Sequence, residues 1–202
     1  MTRFIPAARV HALTPLFDLG CSIVGLGRTY RIKVIAHLAL SNAPLTILDA
    51  GCGTGSLAMA LKAKNPKLNI HAVDADERIL HIAKRKTKNI RFQQAYLQRL
   101  PYPNNYFDAI YSSLVLHHLP TKEKYKALRE LHRVLKKDGT ILLSDFGKPR
   151  RFAFMSWFTI LFEEGLDNYK GKIPGMLIKC GFMQVQKVAE HRGNIHLCKA
   201  KK

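Results

Sequence analysis

Long apolar runs are missing from this chain, and their absence excludes a transmembrane protein of the helical kind. The longest segment without a charge, Val34 to Leu48, has 15 residues and contains His37, Ser41, Asn42 and Pro44, against about 20 mostly apolar residues for a spanning helix. Residues Met1 to Val10 carry Arg3 and Arg9 around a short mixed stretch with neither an apolar core nor a small-residue cleavage site, so no secretory signal is expected and the expected location is the cytoplasm. Cysteine is sparse too. Cys21, Cys52, Cys180 and Cys198 lie far apart with no C-x-x-C pair, which suggests reduced thiols rather than a disulfide framework or a zinc site. No metal is expected. Internal repeats and low-complexity tracts are also lacking, which excludes a solenoid or a disordered tail protein.

Acidic residues are few: 14 Asp and Glu face 33 Lys and Arg, for a net charge of +19. Such a balance attracts nucleic acid, anionic membrane surfaces or acidic ligands. The excess is spread along the whole chain rather than gathered in a tail. Its densest cluster, Lys84, Arg85, Lys86, Lys88 and Arg91, reads most simply as the solvated end of a helix. With 202 residues, 47% hydrophobic and 23% charged, the chain has the composition and length of one globular domain.

From Leu45 onward apolar strands alternate with amphipathic helices, the pattern of an α/β fold with a mostly parallel sheet. The expected strands are Leu45 to Asp49, Leu68 to Val73, Ile90 to Gln94, Phe107 to Ser112 and Thr140 to Ser144. A helix from Ser56 to Ala63 follows the first strand. Asp76 is placed to cap a second, with Ile79, Leu80, Ile82 and Ala83 as its buried stripe. Thr121 opens a third, which the Asp138-Gly139 pair is expected to end. The remaining organisation reads as a helical N-terminal cap (1–44), a ligand-binding core (45–147), a helical lid (148–181) and a terminal antiparallel hairpin (182–202), making seven strands in all. Gly25 and Gly27 form a second glycine pair with no chemistry around it, and read as a turn or helix break.

The most informative residues are Leu48-Asp49-Ala50-Gly51-Cys52-Gly53-Thr54-Gly55. A strand, a turn with glycines at alternate positions and then a helix let a ligand press against bare backbone at the positive end of the helix. Asp74 ends the next strand, where such folds place a carboxylate that accepts from two ribose hydroxyls. A dinucleotide dehydrogenase fits less well. Its G-x-G-x-x-G fingerprint wants glycine where Ser56 stands, and Asp49 puts negative charge where a pyrophosphate would approach. A ligand with a cationic amine suits that charge.

Taken together, LDAGCGTG, HAVDAD and LPYPNNYFDAIYSSLVLHHL resemble the successive motifs of class I S-adenosylmethionine-dependent methyltransferases over about residues 45 to 147. The chain is most similar to the branch that includes quinone-biosynthesis and other small-molecule enzymes, and Phe17-Asp18 resembles an aromatic-Asp pair found there. The resemblance implies a Rossmann-like sheet and S-adenosylmethionine as the methyl donor. It implies that Asp49, Gly51, Gly53, Thr54 and Gly55 shape the methionine end of the pocket. Asp74 holds the ribose with Ala75 and Asp76 beside the adenine, and Ser112 and Ser113 lie near the sulfonium. One motif departs from the pattern. Ala95-Tyr96-Leu97 stands where Gly-Asp-Ala is usual, so Tyr96 replaces an acid that accepts from the adenine amine, while Leu97 offers its backbone N–H and Gln98 is a substitute acceptor.

Methyl transfer from a sulfonium is an in-line displacement, so alignment and exclusion of water are the protein's main tasks. A base is needed only where the acceptor must lose a proton. The catalytic residue is left open: His118 is a candidate, with His117, Tyr111, Asp145 and Glu163 also near the mouth, and a structural role for both histidines is the alternative. Asp108 is assigned to structure, and Cys52 to packing. Residues 151 to 165, RFAFMSWFTILFEEG, have apolar groups almost all round. They read as a substrate lid, an interfacial helix meeting an anionic membrane, or core under a cap. The favoured acceptor is a small hydrophobic or lipid-like molecule. Nucleic acid is the alternative, weakened because no Asn/Asp-Pro-Pro-aromatic stretch follows the fourth strand, where Tyr111-Ser112-Ser113-Leu114 stands. A non-enzymatic cofactor-binding protein on the same sheet is a third class.

Overall fold

The computed structural model describes residues 25–38, 43–148 and 166–202. Phe17-Asp18, residues 151–165 with Glu163, and most of residues 1–44 lie outside the described residues.

The strands β1 (Thr46–Ala50), β2 (Asn69–Asp74), β3 (Arg91–Gln94), β4 (Phe107–Ser113), β5 (Leu135–Phe146), β6 (Met183–His191) and β7 (Ile195–Lys201) form one sheet in the order β3-β2-β1-β4-β5-β7-β6. The first five run parallel, and β7 enters antiparallel to β5 and β6. The chain winds outward from β1 to β3, then returns to start again at β4. The order therefore reverses between β1 and β4, and a crevice opens at the carboxyl ends of those two strands.

Both faces of the sheet are buried, as a parallel sheet requires. Alternate residues point to opposite sides. Leu48, Ile110, Ile141 and Leu143 join the core covered by α4 (Thr121–Val134) and α6 (Ile173–Lys179). Ile47, Ala109, Tyr111 and Leu142 join the core covered by α1 (Arg28–Leu38) and α2 (Ser56–Lys64). In α3 (Glu77–Lys86), Asp76 accepts from the Arg78 N–H at 2.9 Å, the expected cap. The stripe is Ile79, Leu80 and Ala83, with Ile82 half-buried. Lys84, Arg85 and Lys86 end that helix in solvent. Gly25 lies in a turn just before α1 with φ 83°, and its carbonyl is 2.9 Å from His191 Nε2, as the turn reading of that glycine pair expects.

One boundary differs from expectation. The helix expected to run to Asp138-Gly139 ends at Val134, and Leu135 is already extended and fully buried opposite Phe107. The reason lies in the register. Pairing passes from Phe107↔Leu135 to Ala109↔Thr140, so four residues of β5 lie opposite one of β4 and bulge out. Asp138 takes the left-handed conformation (φ 62°) in that bulge. A Cβ on Gly139 would lie 2.7 Å from Leu135 Cδ1 and 2.8 Å from the Lys136 carbonyl oxygen, so glycine is required by space. The Asp-Gly pair does make a turn, inside the strand rather than after the helix.

Asp108 occupies a structural position, as expected. Its Oδ2 accepts from the Thr46 N–H at 2.8 Å and its Oδ1 from Lys136 Nζ at 2.7 Å, tying the start of β1 and the bulge of β5 to β4. Asp108→Ala is expected to lower unfolding free energy by about 1 to 3 kcal/mol through the lost charged hydrogen bonds, with ligand affinity unchanged. Urea titration and calorimetry check the two halves of that statement.

Candidate functional site

The crevice beyond β1 and β4 is built from the glycine turn. Gly51 and Cys52 both donate their N–H groups to the Val73 carbonyl, at 2.8 and 2.9 Å, so the chain leaving β1 folds over the end of β2. Gly53 then donates to Asp74 Oδ2 at 2.8 Å, while Asp74 Oδ1 accepts from the Asp76 N–H at 3.0 Å. Asp74 thus fixes the turn as well as facing the crevice. Gly51 has φ 85°, and a Cβ there would lie 2.3 Å from Val115 Cγ2. The backbone is bare because the loop after β4 presses against it. Gly55 begins α2 with φ 74°, and Thr54 is buried with its Oγ1 3.1 Å from Ser56 Oγ.

Asp49 lies one residue before the end of β1, directly across from Tyr111 on β4. It is 2% exposed, and its Oδ2 makes no hydrogen bond; nor does the buried Tyr111 hydroxyl beside it. Burial pushes the Asp49 carboxyl up to about 8, with Tyr111 partly opposing and Asp74 adding to the rise. Asp74 is raised as well, first by burial, against the N–H groups of Asp76 and Gly53. Cys52 has its thiol raised by burial and then by the two neighbouring carboxylates, so it is an inert packing residue. Tyr111 is raised well above the ordinary phenol range, first by burial and then by Asp49. It is a neighbour of that acid rather than a proton acceptor.

The other expected residues divide between the crevice rim and internal bonding. Ala75 and Asp76 follow Asp74 at the rim, where Gln94 Nε2 donates to the Ala75 carbonyl at 3.0 Å. Tyr96 is exposed, Leu97 is buried, and Ala95 donates its N–H to the Asp74 carbonyl, so this segment borders the same acid. Ser112 Oγ donates to the Ala50 carbonyl at 2.7 Å. Ser113 Oγ lies 2.7 Å from the Tyr30 hydroxyl, which also donates to Ser144 Oγ at 2.7 Å. Both serines stand at the tip of β4, with their hydroxyls engaged within the protein.

Sequence reasoning named His117 and Asp145 separately and missed that they form a pair. His117 Nδ1 is 2.8 Å from Asp145 Oδ1. Asp145 also accepts from the backbone N–H groups of Leu116 (2.7 Å), His117 (3.3 Å) and Phe146 (2.8 Å). Burial alone would raise this carboxyl, but His117, the Phe146 N–H and the nearby His118 hold it below the usual range. An ionised carboxylate can only accept, so Nδ1 of His117 carries the hydrogen. The His118 ring lies 3.9 Å from that of His117, centroid to centroid. Among the described residues, no group of three or more His, Cys, Asp or Glu side chains is placed to hold a metal ion, and no helix is long and apolar enough to cross a membrane.

Known proteins with these features share one chemistry. A family model for a methyltransferase domain matches residues 47–139. A demethylmenaquinone methyltransferase of Thermus thermophilus is 33% identical over 168 residues, covering 81% of this chain and 76% of its own. The chain belongs to the class I S-adenosylmethionine-dependent methyltransferases. A ubiquinone/menaquinone biosynthesis C-methyltransferase of Campylobacter jejuni is 34% identical over 156 residues, 72% of this chain and 65% of its own. Among solved structures, a SAM-dependent methyltransferase from Aquifex aeolicus superposes with a TM-score of 0.67 at 24% identity, covering 84% of this chain and 88% of its own. The Haemonchus contortus phosphoethanolamine N-methyltransferase 2 in complex with S-adenosyl-L-methionine gives 0.69 at 17% identity, covering 87% and 53%. These two show the fold. The family uses S-adenosylmethionine, and the residues of this methyltransferase fit it. Gly51 and Gly53 keep part of the turn's backbone accessible for the amino-acid end, and the buried Asp49 oxygen lacks the cationic partner that an ammonium group provides.

A cationic ligand beside Asp49 makes affinity depend on pH. Below about 8 the free protein holds a proton on Asp49, which an ammonium group displaces. Affinity for S-adenosylmethionine should therefore rise with pH towards 8, with proton release visible by calorimetry in buffers of different ionisation enthalpy. The sign for folding is the reverse. A carboxyl raised from 3.8 to about 8 binds more protons folded than unfolded, so the free protein should lose stability as pH rises through that window. Asp49→Asn should flatten both dependences.

Proposed function

We propose that this methyltransferase carries the methyl group of S-adenosylmethionine to a small hydrophobic acceptor, a quinone-type ring being the first choice, in the cytoplasm. The observation that carries the reading is the buried Asp49 oxygen, unpartnered beside a glycine turn that Asp74 holds open. The names of the relatives from Thermus and Campylobacter support the acceptor class. Bound in the crevice, S-adenosylmethionine supplies an electrophilic methyl group on a sulfonium.

The chain's own residues do the rest. Asp49 faces the amino-acid end, and Gly51, Gly53, Thr54 and Gly55 give it backbone to lie against. Asp74 accepts from the ribose, exchanging its present hold on the Gly53 N–H for shared use. Ala75, Asp76, Tyr96 and Leu97 border the adenine, and the tip of β4 at Ser112 and Ser113 borders the sulfonium. An acceptor carbon on an electron-rich ring must lose a proton when the new bond forms. His118 is the proposed acceptor of that proton. The Asp145–His117 pair fixes the short 3-10 turn (Leu116–His118) that presents it.

Labelled S-adenosylmethionine incubated with a cell extract should place label in the organic fraction rather than in nucleic acid. Label in RNA or DNA would overturn the acceptor class. Asp74→Ala should weaken donor binding by roughly 1 to 3 kcal/mol, read by calorimetry, and an unchanged affinity would remove the ribose assignment. His118→Ala should leave donor affinity intact and slow turnover of carbon acceptors.

A further inference from the structure

The tip of β4 carries a hydroxyl whose direction the hydrogen bonds settle. Ser113 Oγ lies 2.7 Å from the Tyr30 hydroxyl, a contact in which either oxygen could donate. Tyr30 also donates to Ser144 Oγ at 2.7 Å. A phenol has one hydrogen to give, and Ser144 takes it. In the first contact the donor is therefore Ser113. Towards any further partner its oxygen can only accept. Tyr30 and Ser144 are buried, whereas Ser113 is half-buried at the strand end that borders the crevice, so the phenol acts on a ligand only through the serine.

This strand tip is also strained and firmly held. Leu114, the next residue, has φ 59°, a left-handed conformation uncommon for a bulky side chain and sustained only where its surroundings over-determine it. Its N–H donates to the Ser144 carbonyl at 2.7 Å. On the other side Ser112 Oγ donates to the Ala50 carbonyl at 2.7 Å. Tyr30 is itself anchored, because its ring lies 5.2 Å from that of His191 and Lys33, on the same helix α1, donates to the Glu190 carbonyl at 2.9 Å. A serine hydroxyl ordinarily rotates to suit its partner. Here it is a fixed dipole, prepared in advance for one sign of charge.

An oxygen that offers only lone pairs favours a positive group. S-adenosylmethionine and the S-adenosylhomocysteine left after transfer differ only in the methyl group and the positive charge on sulfur. We infer that Tyr30 is a positioning residue: by taking the Ser113 hydrogen it holds that serine as an acceptor towards the sulfonium, and so raises affinity for the methyl donor relative to the spent product. The inference rests on the methyl-transfer reading, which sets the sulfonium at the tip of β4.

The test is the ratio of donor to product affinity, each titrated calorimetrically at one pH and ionic strength, so that the groups the two ligands share cancel. Three variants address the relay. Tyr30→Phe keeps the buried ring and frees the serine hydrogen. Ser144→Ala removes the acceptor of the phenol hydrogen, which then turns to Ser113 and drives the serine hydrogen outwards. Ser113→Ala removes the oxygen itself. Each should lower the ratio roughly three- to ten-fold, including Ser144→Ala, which alters a side chain that is buried away from the ligand. A ratio unchanged in Tyr30→Phe and Ser144→Ala overturns the inference, and should one of these two fail to fold, the other decides. A fall seen only in Ser113→Ala overturns it too, since the serine would then act without the phenol. So does a loss of both ligands by the same factor with a lower melting temperature, which would make the phenol merely structural. These outcomes leave the methyl-transfer reading standing. A wild-type protein that binds neither donor nor product overturns that reading, and this inference with it.

Discussion

A carboxyl group buried at the end of β1, with one oxygen that makes no hydrogen bond, is the constraint around which the crevice is organised. Asp49 is 2% exposed and stands beside a second acid, Asp74, with a phenol as its nearest polar neighbour. A protein selected only for stability would place an apolar residue there, since burying an unpaired carboxyl is unfavourable. On the proposed reading that cost is offset when a ligand's positive group displaces the Asp49 proton and pairs with the carboxylate. The same pair of acids argues against a pyrophosphate ligand, which would bring more negative charge to an already acidic corner.

Long-range hydrogen bonds keep the strand tips in place around that carboxyl group. Tyr30, on the helix preceding β1, bridges Ser113 and Ser144 across β4 and β5, and Ser112 ties β4 back to the Ala50 carbonyl. Asp145 gathers the turn after β4 onto the tip of β5. Each of these contacts joins elements far apart in the chain. They make the mouth of the sheet rigid at the point where reacting groups must be aligned within a fraction of an ångström.

That distance along the chain also explains what could be read in the sequence and what could not. The glycine turn, the capping Asp76 and the terminal Asp74 are local patterns, since each needs only a strand end and the few residues after it. That the strands run mostly parallel followed from alternation of strand and helix. The pairing of Asp49 with Tyr111, and of His117 with Asp145, depends on which strands become neighbours and in what register, and no local pattern records that. Leu135 shows the same limit at a boundary. Its helical spacing is sound up to Val134, but pairing with Phe107 takes it into the sheet. Asn168 carried no signal at all, because an asparagine in a short polar stretch reads as a loop residue until its burial is seen.

Polarity is divided across the mouth of the sheet in a way that fits two ligands of different character. The β1–β2 side is acidic and rich in bare backbone, suited to a cationic, strongly hydrogen-bonding nucleoside. On the β5–β7 side Asp145 is satisfied within the protein, and the buried carboxamides of Asn168, on the short helix α5 (Leu166–Tyr169), and of Asn194 make no hydrogen bonds. Between the two lies the 3-10 turn with its paired histidine rings. The net charge of +19 is spread along the whole chain rather than gathered in one segment.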